Sequence, residues 1–206
     1  MTNKEKIKKI KLNLFDMAIG DIIRAIRGGS LIGAFILSFC LIDYLAGIFY
    51  KAQKRYYKVI IREYFENYDV DYMYAIRCSL VHIYGRADAL GNDSFFFQHK
   101  NPENHKRISF TTNGNRVYLL NLSNFVFDTI KASYNFFNDL ENKSESELQE
   151  YIVRAEKIIL IRNIKTGEII SKSNFSSLDS IFVSLDQKKV NWEILKNEID
   201  KLCFSK

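Results

Sequence analysis

The spacing of apolar side chains divides this chain into helical stretches separated by short polar breaks. Over residues 4–27, Ile7, Ile10, Leu14, Ala18, Ile22 and Ile26 recur at steps of three and four, which lays one apolar stripe along a helix. Gly28-Gly29 ends that stretch, and Ser30 can cap the next. Residues 31–50 are apolar almost all round, the pattern of a helix at the centre of a bundle. Residues 52–67 form a third helix or a continuation of the second. There Tyr57, Ile61, Tyr64, Phe65 and Tyr68 are expected inward, with Lys51, Lys54, Arg55, Lys58 and Arg62 outward. Residues 70–84 make a fourth helix, closed near Gly85.

The pattern then changes. Residues 94–98 read as a strand. Residues 108–111 and 116–120 flank Asn113-Gly114, a pair that accepts the positive φ of a hairpin turn. Helical spacing returns over 122–140 with Phe125, Thr129, Ala132 and Phe136. The polar run 142–147 is the expected boundary, and Ser144 with Glu147 fits a capping box for the helix that follows. That helix runs to about residue 162, with Leu148, Ile152, Ala155 and Ile159 inward. Residues 163–186 are mixed, with short strands expected around Thr166-Gly167, and a last helix covers about 187–203.

Composition narrows this to a mainly α fold. The 206 residues suffice for one large domain, and a single proline, Pro102, leaves long helices uninterrupted. The net charge of +6 permits contact with RNA or another anionic surface without requiring it. Cys40, Cys78 and Cys203 are too widely spaced for a metal site, so reduced thiols in a cytoplasmic setting are expected. His99 and His105 flank a loop containing Asn101-Pro102, and no cysteine or carboxylate cluster completes a zinc site around them. No cofactor is implied. Residues 31–50 are long enough to cross a bilayer, but Asp43 would cost about 2.5–3.5 kcal/mol near its centre, so a buried bundle helix is the expectation and a membrane span is disfavoured.

One constellation carries chemistry: Arg77-Cys78-Ser79-Leu80-Val81-His82, late in the fourth helix. An arginine followed by a histidine five positions on resembles the HEPN motif. The segment 38–47 resembles the second helix of bacterial HEPN-like proteins, Tyr64-Phe65 to Tyr68 and Met73–Arg77 resemble the lead into their motif helix, and Ser79–Tyr84 resembles the motif's end. The resemblance covers residues 30–140. It implies an HEPN-like helical bundle over 1–140 with a β-hairpin insertion near 94–120, followed by a C-terminal helical extension over 141–206.

The activity it implies is metal-independent RNA cleavage, in a toxin–antitoxin or phage-defence setting. The ribose 2′-hydroxyl attacks the adjacent phosphate, His82 moves protons and Arg77 meets the growing negative charge. Asp43, Cys78 and Tyr84 join the site as binding residues. Cys78 departs from the Asn, Asp or His that active family nucleases carry there, which motivates the alternative of a non-catalytic module binding RNA, a nucleotide or a protein such as an antitoxin. Five residues along a regular helix is about 140° of rotation, so Arg77 and His82 do not share a face. The family commonly joins two motifs in one cleft, and a homodimer is therefore expected. A carboxylate in an apolar helix also needs a partner, so the competing reading of Arg77 is a structural ion pair with Asp43, which does not exclude function.

Overall fold

A computed structural model describes residues 2–49, 54–80, 91–158 and 190–204. The fold is mainly helical. Helix α1 (Asn3–Leu14) is closed at its start by a capping box in which Thr2 and Glu5 satisfy each other's backbone N–H groups. The chain then widens into a π turn (Phe15–Ile19) before α2 (Gly20–Arg27). This turn is where the expected single stripe changes course. The fully buried residues are Ile7, Phe15, Ile19, Ile22, Ile23 and Ile26, while Ile10, Leu14 and Ala18 are only partly covered. Lys11 lies on the buried face as well, and its ammonium is met by Asn138 Oδ1 at 3.1 Å and Glu141 Oε1 at 3.3 Å.

Helix α3 (Leu31–Phe49) is the axis of the molecule. Helices α2, α4 (Lys54–Tyr64), α6 (Leu122–Glu141) and α7 (Glu145–Ile158) all pack on it. It is the one helix among the described residues long and apolar enough to cross a membrane, and in this fold protein covers most of its faces. Phe35 and Phe39 stack with Phe125 of α6 at centroid distances of 5.7 and 4.8 Å. Hydroxyls inside this interface are satisfied within their own helices: Ser38 donates to the Ala34 carbonyl and Thr129 to that of Phe125.

Helix α5 (Val70–Cys78) follows a turn at Asn67, which adopts positive φ, and is capped by Asp69 accepting from the N–H groups of Asp71 and Tyr72. Three strands come next: β1 (Ser94–Gln98), β2 (Ile108–Phe110) and β3 (Arg116–Asn121). The sheet order is β1-β3-β2. Strands β2 and β3 run antiparallel around Gly114, whose φ of 77° is the left-handed turn conformation anticipated for Asn113-Gly114. Strand β1 pairs parallel to β3, so the first strand crosses behind the pair instead of extending a meander. Its inner face brings Phe97 within 4.1 Å of Phe35, which ties the sheet to α3.

Asn121 ends β3 and caps α6, accepting from the N–H of Asn124. The capping box expected of Ser144 and Glu147 is present at the start of α7. Helix α8 (Trp192–Phe204) lies on α6. Buried residues of α7 and α8, among them Leu148, Ile152, Leu195 and Ile199, belong to the same apolar core as the earlier helices. The short strands expected within 163–186 lie outside the described residues.

Candidate functional site

Arg77 sits in the last turn of α5 and reaches across to α3, where its Nε donates to Asp43 Oδ2 at 2.7 Å. The ion pair of the structural alternative is therefore present. Its side chains are 19% and 27% exposed, so the pair sits at the edge of the core and water still reaches it. Burial works against the Arg77 charge, but the hydrogen bond and attraction to Asp43, with a smaller contribution from Cys78, outweigh it and hold the guanidinium above its ordinary pKa. Arg77 Nη1 also approaches Cys78 Sγ at 3.8 Å.

Cysteines and tyrosines surround the pair. Cys40 precedes Asp43 by about one helical turn, and partial burial followed by the Asp43 carboxylate pushes its thiol pKa up against the opposing pull of Arg77. Tyr57, from α4, is fully enclosed and feels the charges of Asp43 and Arg77, and burial keeps its phenol protonated. Its hydroxyl has no hydrogen-bond partner among the described residues. A buried donor without an acceptor is costly, by about 1–3 kcal/mol. Of the residues expected to act here, the structure brings Arg77, Asp43 and Cys78 together; His82 and Tyr84 lie outside the described residues.

A second polar centre was not anticipated. His105 Nδ1 accepts from the backbone N–H of Asn121 at 3.1 Å, which leaves the ring proton on Nε2. That nitrogen lies 2.8 Å from Tyr68 Oη, and Tyr68 in turn donates to Asp128 Oδ2 at 2.9 Å. Lys106 stands over the Tyr68 ring and reaches the same carboxylate. Desolvation lowers the His105 pKa in spite of Asp128, so the ring is neutral near pH 7. Burial opposes ionisation of Asp128, but hydrogen bonds from His105 and Tyr68 and the Lys106 charge hold its pKa below the ordinary carboxylate range. Tyr68 and His105 are 37 residues apart in sequence, and Tyr68 and Asp128 are 60 apart. No local spacing could have joined them. Their signal would have been pairwise: two polar groups, Tyr68 in the turn before α5 and Asp128 on α6, brought together only by the fold.

Two further networks join distant elements. Asp93 accepts from Tyr72 Oη at 2.5 Å and from the backbone and side chain of Arg116. Buried Ser123 and Lys196 both meet Asp200, which fastens α8 to the start of α6. Away from Arg77, an open cleft of about 500 Å³ is lined by Phe49, Tyr64, Lys143 and the carboxylates of Glu63, Asp139 and Glu147. Its charge is wrong for a phosphate. Among the described residues no group of three histidine, cysteine or carboxylate side chains converges to hold a metal.

No protein-family model matches the chain, and neither a curated protein nor a solved structure matches it. The functional reading therefore stands on the residues themselves.

Proposed function

We propose that the chain is an HEPN-like RNA-processing protein: a helical bundle, with a strand hairpin inserted after the motif helix, in which Arg77 and His82 act on a phosphodiester without a metal. The observation that carries this is the state of Arg77. A guanidinium late in a helix is fixed by an acid from the core helix and keeps contact with water. That is a donor held in place for an anionic oxygen. Asp43 positions the guanidinium, Arg77 binds the phosphate as charge accumulates on it, and His82 transfers the proton between the 2′-hydroxyl and the leaving oxygen. The 140° separation of the two motif residues along a regular helix motivates a homodimer that joins two motifs in one cleft. A toxin–antitoxin or defence role in the cytoplasm is the setting that fits such an activity.

The test is cleavage of a single-stranded RNA in the presence of EDTA. Wild type should cut, leaving a 2′,3′-cyclic phosphate, and His82→Ala should be slower by roughly 10²–10⁴-fold. Equal rates for the two proteins would sink the nuclease reading. One observation favours the non-catalytic alternative: Nε of Arg77 is already engaged by Asp43, and Cys78 stands where active nucleases carry a polar residue. Salt-sensitive RNA binding with no product in the same assay would select it.

A further inference from the structure

The outer face of the three-stranded sheet is built unlike the rest of the surface. Phe95 and Phe97 turn inward and pack against the core, which leaves Phe96 on the opposite side with 57% of its surface exposed. In register, Phe96 stands beside Leu119 of the central strand. On the other side of Leu119, the chain makes a bulge at Lys106, whose φ is 64°. The N–H of Lys106 donates to the Leu119 carbonyl, and the N–H of Leu119 donates to the carbonyl of Arg107. The bulge therefore places Arg107 directly across from Leu119. Alternation puts it on the same face as Phe96, two strand spacings away, or about 10 Å. One row across the sheet reads aromatic, aliphatic, cation.

The charges on this row are not neutralised locally. Arg107 is exposed and donates only to the neutral Asn104 side chain, with no carboxylate partner among the described residues. Lys100, exposed at the end of β1, likewise meets no carboxylate there. The connection between β1 and β2 carries Lys100 and Arg107 against one acid, Glu103, while its third cation, Lys106, is met by Asp128. Phe96 makes no ring contact with another described aromatic. An exposed ring with the uncompensated Arg107 about 10 Å across the sheet fits a base stacked on the ring with a phosphate of the same strand on the guanidinium.

We infer that this sheet face is a docking surface for single-stranded nucleic acid, with Phe96 as the stacking platform and Arg107 as the phosphate contact. It shares with the proposed function only the class of partner, since it lies on residues outside the Arg77 motif and predicts binding rather than cleavage. Phe110 supplies an internal control. It is more exposed than Phe96, at 67%, but its register with Arg116 puts it on the other face of the sheet.

The experiment is fluorescence anisotropy with a labelled single-stranded DNA of about 12 nucleotides, a length within the range such surfaces cover. Lacking 2′-hydroxyls, this probe is not a substrate for the proposed cleavage, so the result does not depend on it. Phe96→Ala should weaken binding on the order of ten-fold or more, Phe96→Trp should retain it, and Phe110→Ala should leave it unchanged. Arg107→Gln should weaken binding and reduce the slope of log K against log salt by about one. Equal losses at Phe96 and Phe110 would mean general apolar adhesion and overturn the inference. So would wild-type binding from Phe96→Ala, loss of binding by Phe96→Trp in a protein with unchanged melting, or an effect of Phe96→Ala on self-association alone. None of these outcomes touches RNA cleavage by His82, which is read separately.

Discussion

The chain holds two polar centres that look alike in composition and differ in how completely they are satisfied. Around His105, each ring nitrogen has a partner: Nδ1 takes a backbone N–H, Nε2 faces Tyr68, and Tyr68 passes its proton toward Asp128. Around Arg77, the ion pair with Asp43 is well formed, but the enclosed Tyr57 hydroxyl, which feels both charges, has no hydrogen-bond partner among the described residues. A saturated network is a latch, because any added ligand would have to displace a bond already made. An unsaturated one retains a cost that a ligand can relieve. Among the described residues, unmet hydroxyls occur at Tyr44 and Tyr118 as well; what sets Tyr57 apart is that it feels both charges of the Arg77–Asp43 pair.

The comparison breaks most clearly at the carboxylates. Asp128→Ala leaves Tyr68, His105 and Lys106 around an empty position, and unfolding in urea should show a loss of about 2–3 kcal/mol. RNA cleavage per folded molecule should be unchanged. Asp43→Ala strands the Arg77 charge and should cost about 2 kcal/mol, less than the figure for a fully buried pair because water reaches both side chains. It should also lower cleavage, because the guanidinium loses its anchor. Replacing both partners, Asp43→Leu with Arg77→Met, should recover most of the stability and none of the activity. If Asp128→Ala impaired cleavage as strongly as Asp43→Ala, the two centres would not be distinct in kind.

Sequence distance does not separate the two centres, since Asp43 and Arg77 are 34 residues apart and Tyr68 and His105 are 37 apart. Asp43 is conspicuous because a lone carboxylate in an apolar helix demands a partner, whereas nothing around Tyr68 or Asp128 marks them as paired. The helices at 31–50 and 122–140, the capping box of Ser144 and Glu147, and the turn at Asn113-Gly114 are legible because their causes lie within a few residues. The parallel pairing of β1 with β3 had no local cause, since nothing in either strand states which neighbour it will choose. The π turn at Phe15–Ile19 carries the buried stripe through Phe15 and Ile19, and Lys11, in the helix before it, can lie inward because Asn138 and Glu141 of a distant helix receive its ammonium. His105 was weighed only as a metal ligand, and the partners that define it arrive from α6 and from the turn before α5.

The latch can be separated from the site next by its histidine. His105→Phe keeps an aromatic ring, a somewhat larger one, but leaves the Asn121 N–H without an acceptor, and should cost about 1–3 kcal/mol. Its pH dependence has a definite sign. The folded pKa of His105 lies below the ordinary 6.5, so the unfolded chain binds a proton more readily. The stabilisation is complete above about pH 6.5 and is lost as pH falls below that value toward the folded pKa. Asp128, also depressed, adds a second loss that begins only below about pH 3.8. Urea midpoints measured from pH 7.5 to 5 should therefore decline in wild type and decline less in His105→Phe. Parallel curves would mean that His105 titrates alike in the folded and unfolded chain.

The smallest effect sharpens the contrast furthest. Tyr57→Phe removes a hydroxyl that has no partner, so it should leave stability unchanged or raise it by up to about 1 kcal/mol. At the latch the corresponding change, Tyr68→Phe, removes a group bonded on both sides and should lower stability. If the Tyr57 hydroxyl exists only because packing tolerates it, RNA cleavage will follow stability and stay level. If it is retained to meet a phosphate oxygen near Arg77, the more stable protein will be the slower one by several-fold. Local rules are broken at functional sites and compensated elsewhere. A buried phenol that weakens the fold and strengthens the reaction would be such a break, whereas a Tyr57→Phe protein that gains stability and keeps full activity would place the unmet hydroxyl outside the chemistry.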